Sequence, residues 1–323
     1  MALETPRFRD VLAARHVIAP YLSETPLRRY PALDQAVGAE LFIKHENHQP
    51  TGAFKVRGGL NLLARLCPTD GLPGIVSATR GNHGQSLAFA GARLGLSVTI
   101  VAPHGNSREK NAAMRALGAE LIEHGPDFQA AREAADRLAG ERGLHFVPSF
   151  HRDLALGVST YALELFSEHP DLDALYVPIG QGSGICGCIA ARDALGLKTE
   201  IVGVQAAGAP AYALSFAAGR VTATAGADTL ADGMATRVPD EEALDVIRNG
   251  AARVTLVRDD EIAAAIRAYW TDAHNLAEGA GAAAMKERAS LKGRKVGVVL
   301  SGGNIDFDLF QRWVALAQSA AAA

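Results

Sequence analysis

Short apolar segments rich in valine and isoleucine alternate along this chain with longer, alanine-rich segments. The alternation predicts parallel β-sheets flanked by helices, and strands this apolar are typical of strands covered on both faces. The predicted strands span residues 40–44, 75–79, 98–102, 120–123, 144–148, 175–179, 201–205, 254–257 and 296–300. The predicted helices span about 54–66, 83–94, 107–117, 127–140, 151–167, 184–196, 240–249, 259–274, 279–289 and 307–319. We therefore expect an α/β fold of open, mostly parallel sheets, in which ligands bind at the carboxyl ends of strands.

The composition is that of an ordinary folded protein. Of 323 residues, 48% are hydrophobic and 21% are charged, which excludes a disordered or collagen-like chain. The 33 glycines exceed the average share and indicate sharp turns or close approach of the backbone to a ligand. The net charge is −3, and no basic stripe or like-charge run predicts binding to nucleic acid or to a membrane.

Cysteine content and the first residues predict a cytoplasmic location. The three cysteines, Cys67, Cys186 and Cys188, are too few for a disulfide framework. Residues 1–10 are charged and lack the apolar core of a signal peptide. No apolar run approaches the roughly 20 residues that a membrane span needs.

The first motif with chemical potential is a lysine segment at residues 50–59, PTGAFKVRGG. Thr51 is expected to cap a helix that begins near Ala53, which places Lys55 in its first turn. The helix dipole disfavours a cation there, so it lowers the pKa of the lysine and favours the nucleophilic neutral amine. The alternative is a surface lysine, although the Gly-Ala-Phe sequence before it implies close packing.

Two further motifs each follow a predicted strand and open a predicted helix. Residues 77–85, SATRGNHGQ, can offer backbone N–H groups to a carboxylate, or can form a simple turn capped by Asn82. Residues 178–187, PIGQGSGICG, can cradle a phosphate. Residues 182–187 also fit G-x-G-x-x-G, but the next strand ends in Gln205 instead of the acidic residue of a dinucleotide site.

A fourth motif, LSGGN, ends the last predicted strand at residues 300–304. Its hydroxyl and two glycines can approach a flat ring closely, or Asn304 can cap the turn into the next helix. No metal site is expected, because the His45 and His48 pair and the Cys186 and Cys188 pair lack further ligands. A lysine, an anion-binding turn, a phosphate loop and a hydroxyl can together hold pyridoxal 5′-phosphate.

The sequence resembles the fold-type II, or tryptophan synthase β-like, pyridoxal-phosphate enzymes, and within them the threonine/serine dehydratase and serine racemase family. The resemblance covers nearly the whole chain. Six motifs match in order and spacing, at residues 53–58, 79–85, 180–183, 230–233, 278–281 and 301–304. It implies a cofactor site between a large domain, residues 1–70 and 150–323, and a small domain inserted in it, residues 71–149. It also implies a homodimer.

The resemblance assigns a role to each motif residue. Lys55 forms the Schiff base with the cofactor and later takes the substrate Cα proton. The expected cofactor-binding residues are Phe54, Lys55, Asn82 at the phenolic oxygen, Gly180, Gln181, Gly182, Ser183 and Gly184 at the phosphate, Gly233, Glu278, and Ser301 at the pyridine nitrogen. The expected substrate-binding residues are Thr79, Arg80, Gly81 and His83.

These roles imply a dehydratase, or ammonia-lyase, that eliminates the β-hydroxyl of an L-β-hydroxy amino acid to give a 2-oxo acid and ammonia. L-Threonine and L-serine are the default substrates; 3-hydroxyaspartate, phenylserine and a hydroxyectoine-derived compound are alternatives. A neutral hydroxyl at the ring nitrogen suits elimination, since it makes the ring a moderate electron sink. Two alternatives within the same fold are racemisation and β-replacement. Residues 182–187 leave nicotinamide-dependent dehydrogenation as a third alternative, and a fourth is a binding protein that keeps the fold without catalysis.

Arg80 is the main departure from the family pattern. The family usually has a serine here, and in serine racemases that serine is the acid and base on the far face of the cofactor. Arginine stays protonated, so we expect weak or no racemisation. Arg80 either binds an additional anionic group of the substrate or points away and pairs with a surface carboxylate.

Overall fold

The computed structural model describes residues 6–67, 72–282 and 291–321, which fold around two β-sheets. The strands are β1 (Leu27–Arg28), β2 (Glu40–His45), β3 (Ile75–Ala78), β4 (Val98–Ala102), β5 (Glu120–Glu123), β6 (His145–Phe146), β7 (Ala174–Pro178), β8 (Glu200–Ala206), β9 (Arg253–Val257) and β10 (Lys295–Leu300). The larger sheet has the order β1-β2-β10-β7-β8-β9, and the smaller has the order β5-β4-β3-β6. β1 runs antiparallel to β2, and the remaining pairings are parallel.

Helices cover the faces of both sheets. They are α1 (Phe8–Ile18), α2 (Pro31–Val37), α3 (Lys55–Leu66), α4 (Asn82–Leu94), α5 (Arg108–Ala116), α6 (Phe128–Arg142), α7 (Arg152–Glu168), α8 (Ser183–Ala194), α9 (Ala211–Ala218), α10 (Glu241–Gly250), α11 (Asp259–Ala273), α12 (Gly279–Ala282) and α13 (Phe307–Ala321). Two 3-10 turns lie at Glu46–His48 and Asp232–Met234. In the part of the chain that the structure describes, no helix is both long and apolar enough to cross a membrane.

The central strand β7 explains why the strands are continuously apolar. All five of its residues are buried. Tyr176 packs into one core with residues of α11 and α13, while Leu175 and Val177 pack into another with residues of α7 and α8. Because successive side chains of a strand point to opposite faces, a strand between two helical layers must be apolar at every position.

The smaller sheet is built in the same way. Ile75 and Ile100 face a core shared with α3 and α4, whereas Val76 and Val101 face α6. Helix α6 contributes small side chains there, Ala131, Ala134 and Ala135 among them, so it can lie close to the sheet.

The observed architecture confirms the predicted fold class. All nine predicted strands are present, with ends that shift by a few residues. The pattern did not predict β1, α1, α2 or α9, which lie at the sheet edge or on the periphery. The helix predicted over 279–289 begins at Gly279, and residues 283–290 lie outside the described residues.

Candidate active site

One cavity is lined by every residue that the sequence assigned to cofactor or substrate. It holds about 130 Å³ and lies at the carboxyl ends of β3, β7 and β10, between the two sheets. The fifteen predicted residues are Phe54, Lys55, Thr79, Arg80, Gly81, Asn82, His83, Gly180, Gln181, Gly182, Ser183, Gly184, Gly233, Glu278 and Ser301. Residues that are far apart in sequence therefore meet at one place, which the strand-end rule requires.

Lys55 is the first residue of α3 and reaches into the cavity. Its Nζ lies 3.2 Å from Ser183 Oγ, to which it donates, and 5.1 Å from the centre of the Phe54 ring. Desolvation lowers the pKa of Lys55 to about 8, and the carboxylate of Glu278 partly opposes this shift. The neutral amine, which is the form that attacks a carbonyl group, is therefore more populated at physiological pH than in an ordinary lysine.

The capping predicted for α3 is wrong. Phe54 occupies the N-cap position and no side chain caps the helix; the Thr51 hydroxyl instead donates to the carbonyl of Ala53 over 3.4 Å. The position of Lys55 in the first turn is nevertheless correct. The uncapped N–H groups leave the positive end of the helix dipole directed at the ammonium, which disfavours its charge.

The glycine loop before α8 forms a concave backbone surface. A Cβ atom on Gly180 would lie 2.3 Å from the carbonyl oxygen of Gly233, and one on Gly182 would lie 2.7 Å from Ala243 Cβ. Gly182 also has a φ of +99°, which side-chain-bearing residues rarely adopt. The loop ends at Ser183, where the free N–H groups of the twelve-residue helix α8 favour an anion.

The turn before α4 supplies a second helix N-terminus. The helix begins at Asn82 and the N-cap is Gly81, so the alternative in which Asn82 caps the turn is wrong. The side chain that hydrogen-bonds to the backbone of this turn is instead Thr79, whose hydroxyl oxygen accepts from the Gly81 N–H at 3.0 Å. The Asn82 side chain is thus released from capping and faces the cavity.

His83 adds a buried polar atom that has no hydrogen-bond partner among the described residues. The side chain is buried, and desolvation lowers its pKa to about 3, assisted by the charge of Lys55 and opposed by a hydrogen bond with the backbone of Pro148. The ring is therefore neutral at physiological pH. Its Nε2 makes no hydrogen bond within the described residues, which is unusual for a buried polar group and is typical of a site that binds a ligand.

Ser301 follows β10 and lies beside the lysine segment. Its carbonyl oxygen accepts from the N–H of Phe54 at 3.0 Å, and Gly302 forms an isolated antiparallel bridge with Ala53. Two backbone hydrogen bonds, the one from Phe54 and that from Gly303 N–H to Gly52 O at 2.9 Å, form the bridge and hold the two segments together. The Ser301 side chain is buried and borders the cavity.

Arg80 is exposed at the cavity wall. Among the described residues, no carboxylate or carbonyl oxygen forms a hydrogen bond or ion pair with it. The alternative in which Arg80 pairs with a surface carboxylate is therefore not what the structure shows, and its guanidinium remains available to a ligand.

Sequence reasoning missed a charged cluster in the same cavity. Lys110 on α5 is buried, and its Nζ lies 2.7 Å from Asp232 Oδ2 and 3.4 Å from Glu278 Oε2. Burial alone would lower the pKa of Lys110, but the two carboxylates raise it overall. The available signal was helical phase, since Lys110 lies one turn from the buried Met114 and so belongs to the covered face of α5.

A larger groove lies elsewhere and contains none of the predicted residues. It holds about 720 Å³ and is bordered by parts of α1, α7, α8 and α10. Its charged residues are of both signs, among them Arg9, Arg152 and Asp245. The smaller cavity is the candidate active site because its chemistry, rather than its size, matches a reaction.

The cysteine and histidine pairs belong to no group of three or more candidate metal ligands in the described part of the chain. Cys186 and Cys188 are buried in α8, and His45 and His48 stack with ring centres 4.9 Å apart. Within residues 6–67, 72–282 and 291–321, no three His, Cys, Asp or Glu side chains group as metal ligands.

Comparison with known proteins identifies the family. The model of a family described as "Pyridoxal-phosphate dependent enzyme" matches residues 18–302. The chain belongs to this family. An L-threonine ammonia-lyase of Thermotoga maritima is 34% identical over 307 residues, which cover 94% of this chain and 77% of that protein. An L-threo-3-hydroxyaspartate ammonia-lyase of Saccharomyces cerevisiae is 31% identical, and the match covers 93% of this chain and 94% of that protein.

Solved structures agree with these relatives. The processed form of threonine deaminase isoform 2 from Solanum lycopersicum superimposes with a TM-score of 0.89 at 30% identity, covering 96% of this chain and 92% of that one. The comparisons confirm the predicted cofactor, pyridoxal phosphate, and the predicted reaction class, a dehydratase of the ammonia-lyase type. A small amino acid is the substrate class consistent with them.

Proposed function

We propose that this enzyme eliminates the β-hydroxyl group of an L-β-hydroxy amino acid and that Lys55 is its catalytic residue. The observation that carries the proposal is the position of Lys55, which lies in a cavity shared with two helix N-termini and has a pKa lowered to about 8. When bound, pyridoxal phosphate supplies an electron sink for the pair of electrons left at the substrate Cα. Lys55 Nζ, in its neutral form, is the base that takes the Cα proton.

The residues present fit pyridoxal phosphate. The concave backbone from Gly180 to Gly184 has no room for a Cβ atom at Gly180 or Gly182 and leads into the N-terminus of α8, which suits a phosphate dianion. Ser183 Oγ lies 3.2 Å from Lys55 Nζ, so the phosphate loop and the lysine are within reach of one small ligand. Gly233 closes the loop, and Phe54 packs beside the lysine.

Two polar side chains would contact the ring of the cofactor. Asn82 would donate to its phenolic oxygen, and the hydroxyl of Ser301 would meet its pyridine nitrogen. A neutral hydroxyl does not force protonation of that nitrogen, unlike a carboxylate. The ring would then be a moderate electron sink. This suits elimination, because the electron pair left at Cα by proton removal is short-lived when the β-hydroxyl can leave.

The substrate carboxylate would bind at the N-terminus of α4. The first turn of α4, which begins at Asn82, offers backbone N–H groups there, and Thr79 retains a hydroxyl hydrogen to donate. The neutral ring of His83 donates from its other nitrogen to the backbone of Pro148, so its Nε2, which has no partner among the described residues, would accept a hydrogen bond from a protonated group of the ligand. Glu278, buried beside Asn82, would border the substrate and the cofactor together. The dipole of α4 favours the negative charge at this end.

Arg80 sets the choice among β-hydroxy amino acids. L-Threonine and L-serine remain the default substrates, and a guanidinium without a partner among the described residues favours a substrate with a second anionic group, such as 3-hydroxyaspartate. A permanently protonated side chain cannot return a proton to the opposite face of Cα, so racemisation should be weak.

Three further properties belong to the proposal. The small domain is 71–149 and the large domain is 1–70 with 150–323, a division supported by the confinement of the four-stranded sheet to residues 75–146. The enzyme acts as a homodimer. It is cytoplasmic, in keeping with three free cysteines.

An assay of 2-oxo acid and ammonia over a panel of L-threonine, L-serine and 3-hydroxyaspartate tests this function. We expect equimolar 2-oxo acid and ammonia from at least one of them, without an added nucleophile, and no product from Lys55→Ala. Keto-acid formation that requires a second nucleophile, or extensive conversion of L-serine to D-serine without ammonia, would instead favour β-replacement or racemisation.

A further inference from the structure

A chain of amide hydrogen bonds leads into the cavity from Asn304. The Nδ2 atom of Asn304 donates to the backbone oxygen of Thr51 at 2.7 Å and to Oδ1 of Asn82 at 2.9 Å. The Nδ2 atom of Asn82 in turn donates to Oε1 of Glu278 at 2.7 Å. Asn304 thus connects the lysine segment, the start of α4 and the buried carboxylate, and it contacts no reacting atom itself.

The donor-to-acceptor direction of this series of hydrogen bonds is fixed at both ends. A backbone carbonyl can only accept, so the NH₂ group of Asn304 must face Thr51. Burial raises the pKa of Glu278, but the ammonium of Lys110, 3.4 Å away, favours the ionised carboxylate. That carboxylate also only accepts, so the NH₂ group of Asn82 must face Glu278. The two constraints agree, because the second N–H of Asn304 then meets the oxygen of Asn82. Neither amide can rotate by 180° without setting like atoms against each other.

The absence of a side chain at Gly52 makes room for the Asn304 amide. A Cβ atom on Gly52 would lie 2.5 Å from Asn304 Oδ1, and Gly52 has a φ of +67°. Glycine is therefore required at residue 52 both for its backbone conformation and for the space that the Asn304 amide occupies. The Thr51 carbonyl is held next to it by the same turn, in which Gly52 N–H donates to Gln49 O at 2.7 Å.

The consequence concerns what Asn82 presents to the cavity. Its oxygen is engaged by Asn304, and one of its two N–H groups is engaged by Glu278, so the remaining polar group is an N–H donor. We propose that Asn304 is a positioning residue that fixes the Asn82 amide with a donor toward the phenolic oxygen of bound pyridoxal phosphate. The inference rests on the proposed contact between Asn82 and that oxygen.

Asn304→Asp tests the proposal, because it keeps the size of the side chain and replaces the donor by an acceptor. The Asn82 amide should then rotate to donate to the introduced carboxylate, which turns its oxygen toward Glu278 and the cavity. Loss of one hydrogen bond to the charged ring oxygen should raise the Kd for pyridoxal phosphate about tenfold. It should also move absorbance from the visible band of the bound cofactor to its shorter-wavelength band. Asn304→Ala removes the donor without adding charge. It should change the Kd for pyridoxal phosphate and the absorbance of the bound cofactor in the same direction, but by less.

The matched control is Asn249→Asp. Asn249 is exposed on α10 and donates to the backbone oxygen of Asp245 at 2.8 Å, so the same change of side chain occurs far from the cavity. The Kd of this variant for pyridoxal phosphate and the absorbance spectrum of its bound cofactor should equal those of the wild type. Circular dichroism and thermal unfolding of every variant separate a folding defect from a shift in the cofactor site.

A double-mutant cycle distinguishes positioning from a merely structural role. If Asn304 acts through Asn82, adding Asn304→Asp to Asn82→Ala should change the spectrum and the Kd by less than about twofold. An unchanged spectrum in folded Asn304→Asp and Asn304→Ala, or an equally large shift in the Asn82→Ala background, would overturn the proposal. Failure of the proposed function is separate, since the wild-type protein would then show no visible band that depends on Lys55.

Discussion

The ammonium of Lys110 lies 2.7 Å from the carboxylate of Asp232, and this pair connects helix α5, beside the smaller sheet, to the 3-10 turn that borders the glycine loop. The same ammonium lies 3.4 Å from Glu278. Two neighbouring contacts also leave the start of α5 for the start of α13, since Ser107 donates to Asp306 and Arg108 pairs with Asp308. The N-terminal end of α5 is therefore tied to segments outside the smaller sheet across the candidate active site.

Replacing Lys110 by alanine should destabilise the protein strongly. The variant leaves the buried carboxylate of Glu278 without a cation and close to the partly exposed carboxylate of Asp232, so the free energy of unfolding should fall by about 3 kcal/mol. Chemical denaturation measures this change. The control is Arg115→Ala on the same helix, whose pair with Glu123 is exposed and should contribute less than about 1 kcal/mol. Equal effects of the two variants would contradict a buried ionic connection.

The pKa of Lys55 gives the cofactor-free protein a characteristic pH dependence. The amine is protonated below about pH 8 and neutral above it, and only the neutral form bonds to an aldehyde. The rate at which the visible band develops after mixing with pyridoxal phosphate should therefore rise with pH, with a midpoint near the pKa of about 8. A midpoint near the ordinary lysine value of about 10.4 would show that Lys55 is not desolvated.

The same shift affects stability, with a sign that follows from linkage. Between about pH 8 and the ordinary lysine pKa, the unfolded chain binds a proton at Lys55 that the folded chain does not. The contribution of Lys55 therefore makes the cofactor-free protein more stable as pH rises through this range. Comparison of wild type with Lys55→Met by denaturation at several pH values isolates this contribution, since methionine does not titrate. A constant difference between the two proteins at all these pH values would contradict it.

Gly180→Ala should weaken cofactor binding while the chain still folds. The added Cβ would lie 2.3 Å from the carbonyl oxygen of Gly233, so the loop must move away from its phosphate-binding shape. We expect a Kd for pyridoxal phosphate at least about tenfold higher, measured by titration of the visible band, from loss of about one charge-assisted hydrogen bond or more. Gly140→Ala is the control, because a Cβ there meets nothing within 4 Å and alanine should stabilise the interior of α6 slightly.

Arg80→Ser separates the two roles considered for Arg80. If the guanidinium binds a second anionic group, the variant should lose at least about tenfold in kcat/KM for 3-hydroxyaspartate and change little for L-threonine. It should also gain measurable racemisation of L-serine, because a hydroxyl that can exchange its proton replaces a fixed charge. Chiral analysis of recovered substrate and steady-state kinetics measure the two effects. Equal losses on both substrates would assign Arg80 to a general structural role.

The sequence pattern predicted the parts of the fold and site that follow from local chemistry. Buried strands, helix-opening glycine loops and the lysine proposed as nucleophile each leave a signature within a short segment, and the strand-end rule brings them together. β1 left no signature, because two residues paired at an edge have no period to detect.

The capping errors have a common physical cause. Thr51 and Asn82 are good N-cap residues by type, so local propensity assigns both to helix starts. In the structure, both helices begin without a side-chain cap, and the Asn82 amide is engaged by Asn304 and Glu278. Tertiary contacts therefore override the local preference at the active site, where a capped helix would withdraw its polar side chains from the ligand.

Helical phase could have indicated that Lys110 is buried, but its ionic partners could not be assigned from the sequence because they are remote. Asp232 is 122 residues away and Glu278 is 168 residues away, and no local motif records that they meet. The same holds for Asn304, whose amide acts between segments near residues 51 and 82 rather than on the turn it ends.

The central claim is that Lys55 bonds covalently to pyridoxal phosphate in this cavity. Borohydride reduction of the loaded enzyme, followed by peptide mass spectrometry, tests it most directly because reduction makes the lysine linkage permanent. We predict one equivalent of the pyridoxyl phosphate group on the peptide that contains Lys55, and none on any peptide of Lys55→Arg. Attachment to a different lysine in the wild type, or no attachment at all, would contradict the account.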